Sequence, residues 1–478
     1  MGKPVYCYII LCEDRTFYTG WAKNVLDRFN KHLSGHGSRY TKMHKPSKLI
    51  YWETCPNIST ALKKEIKIKK MNKPQKENLV SSWDKQMNLP KEFNNYEYLS
   101  ISPGRVNLIG EHIDYNGGPV LPAAIDRYVF LGANKTNENQ IKIKSLDFDQ
   151  TVFISTKSIE KKVDVDGIAL PNWALYPAGV IGVAKKKNLM VESFEAIFTS
   201  TVPIGAGLSS SAAVEIAFGA LFRELNHWNI DNMELAKLCQ AAENEYIGVN
   251  CGLMDQFASA NGIKDSALYF DTSNLEWFPV DLPDDVALVI TNSKLPRSLS
   301  GSEYNLRRNS CENSLKKIQE EFPSKQFLSD VTFSEFETIR HELDPVDSKR
   351  VEHVINETNR VKLSINYLRN NEIQKFGELM VESHISLRDL YEVSTPELDL
   401  LVSTALNLEG CYGSRLTGAG FGGCVISLVN RKYVKSFVKQ IEQKYYSTTK
   451  INPETYICNA SDGVTVRWRE KTPSDINP

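Results

Sequence analysis

The stretch "VPIGAGLSSSAAVEIAFGAL", residues 202–221, runs from two glycines through three serines into an apolar helical pattern. Gly205 and Gly207 allow a tight turn with no side chain in the way, and the serines stand where a helix would begin. Amides exposed at a helix start suit an anion, phosphate above all. No lysine follows the glycines in the GK[ST] arrangement, so this is not a Walker loop. Taken alone, the stretch reads equally well as a turn that serves packing, and its meaning depends on what accompanies it.

Three other stretches do. "GRVNLIGEHIDYNGG" (104–118) gathers Arg105, Glu111, His112 and Asp114 between glycines, a density of charge that is either solvated on a turn or collected around a ligand. "VNCGLMDQFAS" (249–259) places Asp255 shortly after Gly252, downstream of "AENEYIG" with Glu243. "GSRLTGAGFGGC" (413–424) sends five glycines into an apolar strand, a pattern that lets a backbone or ligand come close. Around them, strand-like runs at 128–134, 286–293 and 423–429 and helix-like runs at 210–225, 233–248 and 360–371 do not alternate as in a doubly wound fold. The class expected is α+β.

Together and in this order, the four motifs resemble the galactokinases, of the GHMP sugar-kinase superfamily, over residues ~96–470. The resemblance implies a two-lobed kinase, with an N-terminal lobe at 96–290 and a C-terminal lobe at 291–478, that phosphorylates the anomeric hydroxyl of galactose from ATP. It implies Asp255 as the residue facing that hydroxyl and assigned as its base, whether it takes the proton or only orients the alcohol, with Arg105 stabilising the carboxylate and the developing charge. Glu111, His112, Asp114, Gly252 and Tyr304 match galactose-contacting positions. The backbone through Gly205, Ala206, Gly207, Leu208, Ser209, Ser210 and Ser211 would cradle the ATP phosphates, and Trp173 would stack on adenine. Ser210 and Glu243 would hold Mg²⁺, an oxygen-only set that suits a hard cation. One departure is visible: the signature usually reads EHTDY, and Ile113 replaces the threonine, a change expected to alter packing under the sugar. N-acetylgalactosamine or arabinose as substrate, and a non-catalytic sugar and ATP sensor, remain open alternatives.

Length and charge point to a further domain. A chain of 478 residues predicts two or three domains. Residues 1–95 carry 18 Lys and Arg against 8 Asp and Glu, whereas the remainder carries 39 against 50. A basic head on an acidic body suggests partners of two kinds, although a solvated lysine face explains the charge as well. Nine scattered cysteines without a CxxC pair fit a reducing cytoplasm, and no apolar run reads as a signal peptide or reaches membrane length.

Strand patterns at 5–12, 17–22 and 48–54 and helical ones at 24–35, capped by Asn24, and 59–71 describe a small α/β domain over 1–82. A polar linker with Pro90 is expected at 83–95. With "CYI" at 7–9 and "YTG" at 18–20, residues 5–80 resemble a GIY-YIG endonuclease domain. Tyr8, Tyr18, Arg28, His32 and Glu65 match its site, the glutamate as ligand of a separate divalent ion. Lys63, Lys64, Lys67, Lys69, Lys70 and Lys73 would then contact DNA phosphates, with or without cleavage.

Overall fold

The computed structural model describes residues 5–55, 58–86, 89–295 and 300–468. In the N-terminal domain, β-branched and aromatic residues make Val5–Cys12 the central strand of an antiparallel sheet, between Phe17–Ala22 and Pro46–Cys55. Its alternate residues feed two cores. Val5, Cys7 and Ile9 meet Ala61 and Ile68 of the helix Ile58–Lys69, while Tyr6, Tyr8 and Ile10 meet Val25 of the helix Val25–Leu33. Asn24 caps the latter helix as the sequence suggests, its side chain accepting from the Asp27 amide.

A helix at Lys73–Gln86 continues into the segment expected as a linker, and a short 3₁₀ turn, Lys91–Asn95, follows Pro90. That turn is not free. Phe93 is buried against Leu99, Ile101 and Phe130 on the outer face of the larger domain's main sheet.

The larger domain contains a six-stranded sheet in the order Thr465–Trp468, Tyr98–Asn107, Pro122–Lys135, Phe194–Ser200, Ile141–Ser145, Gln150–Ile154. Tyr98–Asn107, the signature strand, shows the period of two plainly. Leu99 and Ile101 face Phe93, while Ser100 and Ser102 face inward, bonded to the Ala217 carbonyl at 2.8 Å and the Ser259 hydroxyl at 2.9 Å. Against this inner face lies the helix Ser210–Leu225, whose alanine-rich run allows close approach.

A second sheet of four strands, Cys411–Thr417, Cys424–Asn430, Val286–Asn292 and Glu454–Cys458, is backed by the helices Ile373–Asp389 and Pro396–Leu406. The two sheets do not divide at residue 290: Val286–Asn292 lies wholly in the second, and the chain returns at Thr465–Trp468 to close the edge of the first. Both expected classes, α+β for the kinase and α/β for the head, are therefore present.

Candidate active site

Arg105 comes at the end of the signature strand and Asp255 near the start of the helix Met254–Asn261, 150 residues apart in sequence. They meet as a bidentate pair: Arg105 Nε donates to one Asp255 oxygen at 2.8 Å and Nη2 to the other at 2.7 Å. Arg105 Nη1 donates to the Gly207 carbonyl at 2.7 Å, which ties the pair to the glycine loop. Arg105 is buried, so desolvation opposes its charge, but the Asp255 carboxylate outweighs that and raises the guanidinium further.

The loop itself is held open. Ser209 occupies the N-cap position in a left-handed conformation (φ 56°), a strained geometry for a non-glycine residue. Its hydroxyl points to Asp255 rather than capping the helix. The first amides of the helix Ser210–Leu225 consequently lack a side-chain cap, an arrangement suited to an anion. Gly205, Gly207, Ser209, Ser210 and Ser211 line a cavity of about 570 Å³, whereas the Ala206 and Leu208 side chains turn into the core and leave only their backbone to the loop.

At one end of this cavity the signature loop is fixed by residues from the later part of the chain, between His353 and Ala419. The Gly110 amide donates to Glu357 at 2.9 Å, and His353 bonds the Glu111 carbonyl at 3.1 Å. The Glu111 carboxylate is largely spent within the protein: Oε1 accepts from the Gly418 amide at 2.7 Å and the Thr417 hydroxyl at 3.0 Å and faces Arg415 at 3.1 Å. His112, also left-handed (φ 62°), bonds the Ala419 carbonyl at 3.2 Å and the Tyr115 hydroxyl at 2.9 Å. Burial holds its imidazole down at about 4, hence neutral, with the Nε2 proton on the carbonyl. Glu111 and His112 thus knit the signature loop to the 418–423 glycines, a task that sequence reading did not assign them.

Asp114 is different. Burial first, then the neighbouring Asp255 and Glu111 charges, push its carboxyl up to about 7. A Cβ placed on Gly252 would lie 1.8 Å from Asp114 Oδ2, so glycine there is what gives Asp114 its room. Tyr304 stands over the same end, its ring 5.7 Å from that of His112. The Ile113 side chain is fully buried in the core against Gly118, while its carbonyl accepts from the Asn116 and Gly118 amides, so apolar packing stands beneath the loop where the signature usually has a hydroxyl.

Glu243 lies on a π-helical turn, Ala242–Ile247, a distortion common at functional positions. Burial and then the Asp255 charge raise its carboxyl to about 7. Ser211 lies within bonding reach of Glu243, and Ser210 lines the cavity beside it. Gln256 Nε2 links Glu243 (2.7 Å) to Glu215 (3.0 Å), a fully buried carboxyl whose affinity for its proton is raised strongly by desolvation. Glu215 and Gln256 went unnoticed in the sequence, although the single charge of "SSAAVEIAFGAL" was a signal. An oxygen-only set in which burial and mutual repulsion keep carboxyls partly protonated fits a hard divalent cation, which relieves both penalties.

At the opposite end the lining turns aromatic. Trp173 is mostly buried, its indole N–H held by Gln150 at 2.8 Å. The exposed ring there is Phe148, parallel to Trp173 within 7° at a centroid distance of 6.4 Å.

In the N-terminal domain, four of the five expected residues come together. The Tyr8 hydroxyl bonds His32 Nε2 at 3.0 Å and lies within bonding reach of Arg28 and Tyr18, and the Tyr18 and His32 rings are 4.9 Å apart. His32 Nδ1 is bonded to Thr41 at 2.6 Å, and burial lowers its imidazole to about 4. Tyr8 is fully buried, which raises its hydroxyl, and a Cβ on Gly20 would stand 2.6 Å from it. Glu65 is apart, on the helix packed over the other face of the sheet, paired with Lys69 at 2.7 Å. Lys64 also leaves the expected basic surface, for it turns inward to the buried Glu53. Lys63, Lys67, Lys70 and Lys73 stay exposed.

Comparison with known proteins agrees with this division. Residues 90–135 match the galactokinase galactose-binding signature, 176–262 the GHMP kinases N-terminal domain and 364–447 the GHMP kinases C-terminal model. Residues 4–78 match the GIY-YIG catalytic domain. The chain is 41% identical to a galactokinase of Fusobacterium nucleatum over 76% of its length and 93% of that protein. It is 43% identical to a galactokinase of Clostridium acetobutylicum over 77% and 94%. The structure of Lactococcus lactis galactokinase complexed with galactose superposes with a TM-score of 0.72 at 35% identity, over 81% of this chain and 98% of that one. A mevalonate kinase at 20% identity shares the fold, with a TM-score of 0.52.

Proposed function

The chain belongs to the galactokinase family of the GHMP kinases, and we propose that it transfers the γ-phosphoryl group of ATP to O1 of galactose, giving α-D-galactose 1-phosphate and ADP. The observation that carries the assignment of roles is the Arg105–Asp255 pair at the junction of the glycine loop and the Asp114–Tyr304 end of the cavity. Phosphoryl transfer asks mainly for positioning and charge stabilisation. The O1–H bond breaks as O1 bonds to the γ-phosphorus, and the bond to the ADP oxygen breaks. We assign Asp255 to hold and receive the O1 proton, and Arg105 to fix that carboxylate and offset the incoming negative charge.

Uncapped amides from Gly205 to Ser211 receive the phosphates, and Phe148 with Trp173 receives the adenine. Galactose hydroxyls are assigned to Asp114, Tyr304 and the remaining Glu111 oxygen, with Gly252 shaping the space and His112 holding the loop. Glu243 with Ser211, and Ser210 beside them, would hold Mg²⁺, which when bound neutralises phosphate charge. Nine free thiols support a cytoplasmic location, and no helix among the described residues is long and apolar enough to cross a membrane. We take 1–82 as the N-terminal domain, 83–95 as its connection, and 96–290 and 291–478 as the lobes, with Val286–Asn292 and Thr465–Trp468 crossing that division.

Turnover of galactose with Mg-ATP, set beside N-acetylgalactosamine and arabinose, tests the substrate. Preference for either of the other sugars would overturn galactose, and binding without turnover of any sugar would favour a sensor. For the N-terminal domain we propose contact with DNA phosphates and a separate divalent ion at Glu65, supported by the GIY-YIG match and the exposed Lys63, Lys67, Lys70 and Lys73. Its test is cleavage of several DNA structures with Mg²⁺ or Mn²⁺, lost in Glu65→Ala; cleavage indifferent to that substitution would contradict it.

A further inference from the structure

The N-terminal domain meets the kinase over a packed surface. Trp52 of the domain and Trp468 of the terminal strand stack 5° from parallel, with centroids 5.7 Å apart. Beside them Arg467, 9% exposed, lies 5.0 Å over the Tyr51 ring and 3.9 Å from Glu53. Burial alone would raise the Glu53 carboxyl, but Lys64 from its own domain and Arg467 from the kinase override that and hold it at about 2. The Tyr6 hydroxyl donates to Glu224 at 2.7 Å. Interfaces between tethered domains are usually wet and polar. This one buries a charge that would lose a partner if the domains parted.

The elements touched are the two that carry the phosphate site. The terminal strand pairs with Tyr98–Ile101, the beginning of the strand that reaches Arg105. Glu224 lies in the last turn of the helix whose first turn holds Ser210 and Ser211. The domain therefore grips the far ends of both, and Phe93 fastens the intervening segment to the same sheet.

From these contacts we infer that the N-terminal domain serves as a brace for the kinase, fixing the phosphate-loop helix and the signature strand from behind, and that the two domains open as one cooperative unit. The function is independent of whether the domain cleaves nucleic acid. Only its kinetic consequence rests on the reading of the glycine loop as the ATP phosphate site.

The test is amide hydrogen exchange on the full chain, comparing the parent with Trp468→Ala and Tyr6→Phe. In the parent, Val5–Cys12 and the Ser210–Leu225 helix should share one opening equilibrium. In Trp468→Ala both should exchange faster together, by roughly 5–30-fold. Tyr6→Phe keeps the ring and removes only the bond to Glu224, so exchange should quicken at the end of that helix and KM for ATP rise more than kcat falls. Independent opening of the two segments in the parent would overturn the inference, as would a Trp468→Ala chain that loosens the N-terminal domain alone. Should Trp468→Ala not fold, unchanged exchange at the helix end in Tyr6→Phe overturns it. Faster exchange with unchanged KM upholds the brace and counts instead against the ATP loop.

Discussion

The kinase cavity and the tyrosine cluster of the N-terminal domain each assemble polar groups from distant segments, but they balance charge in opposite ways. Around Asp255 the cavity gathers Asp114, Glu243 and Glu111, and the carboxyls of Asp114 and Glu243 stand near 7 because burial and like charge oppose ionisation. The tyrosine cluster runs from Tyr8 through His32 to Thr41 as hydrogen bonds between neutral groups, with the Arg28 guanidinium close to both Tyr8 and His32. A charge imbalance in a cavity is relieved when substrate and cation arrive. A hydrogen-bonded chain whose members already have partners keeps its geometry before any ligand arrives. Motif density in sequence does not separate the two cases, whereas the electrostatics does.

The largest expected effect breaks the comparison on the kinase side. Asp255→Asn should lower turnover by about 10²–10⁴-fold while galactose still binds, measured by steady-state kinetics beside calorimetric titration of the sugar. Next, Gly252→Ala brings a methyl group against Asp114 and should lower kcat/KM for galactose by roughly 10–100-fold, leaving KM for ATP near its parent value. Equal losses for both substrates would show that the effect spreads beyond the sugar end.

A smaller effect sharpens the electrostatic half of the comparison. Glu243 has its folded value raised from the ordinary 4.5 to about 7, so at neutral pH the free protein holds a proton that cation binding must expel. Titrating Mg-ATP at pH 7 in buffers of different ionisation enthalpy should show release of roughly half a proton, lost in Glu243→Gln. The sign for stability follows: Glu243 and Asp114 are both raised, so each favours the folded state least above pH 7 and progressively more as pH falls toward 4. Glu53 works the other way. Its folded value near 2 contributes stability above the ordinary 4.5 that is lost as pH falls toward 2. Acid should therefore loosen the contact between the domains, and an Arg467→Met chain should show a weaker loss over that interval.

Much of this was legible in the sequence because the signals are local. The strands at 5–12 and 17–22 and the helix at 210–225 fall where their patterns put them, and Asn24 caps its helix. The glycine loop, the signature and the residues around Asp255 converge on one cavity. What was not legible depends on partners far along the chain. Nothing in "GEHIDY" tells that Glu111 and His112 bond the loop after Thr417, or that burial and like charge raise the Asp114 carboxyl. That Glu65 lies across the sheet from Tyr8 depends on which face its helix covers.

The central claim is that the Arg105–Asp255 pair drives transfer to O1 of galactose. Phosphorus NMR of the full chain with galactose and Mg-ATP tests it most directly, run beside Asp255→Asn. The account predicts α-galactose 1-phosphate and ADP in equal amounts from the parent and almost none from the variant. Phosphate on another hydroxyl, or undiminished product from Asp255→Asn, would contradict it.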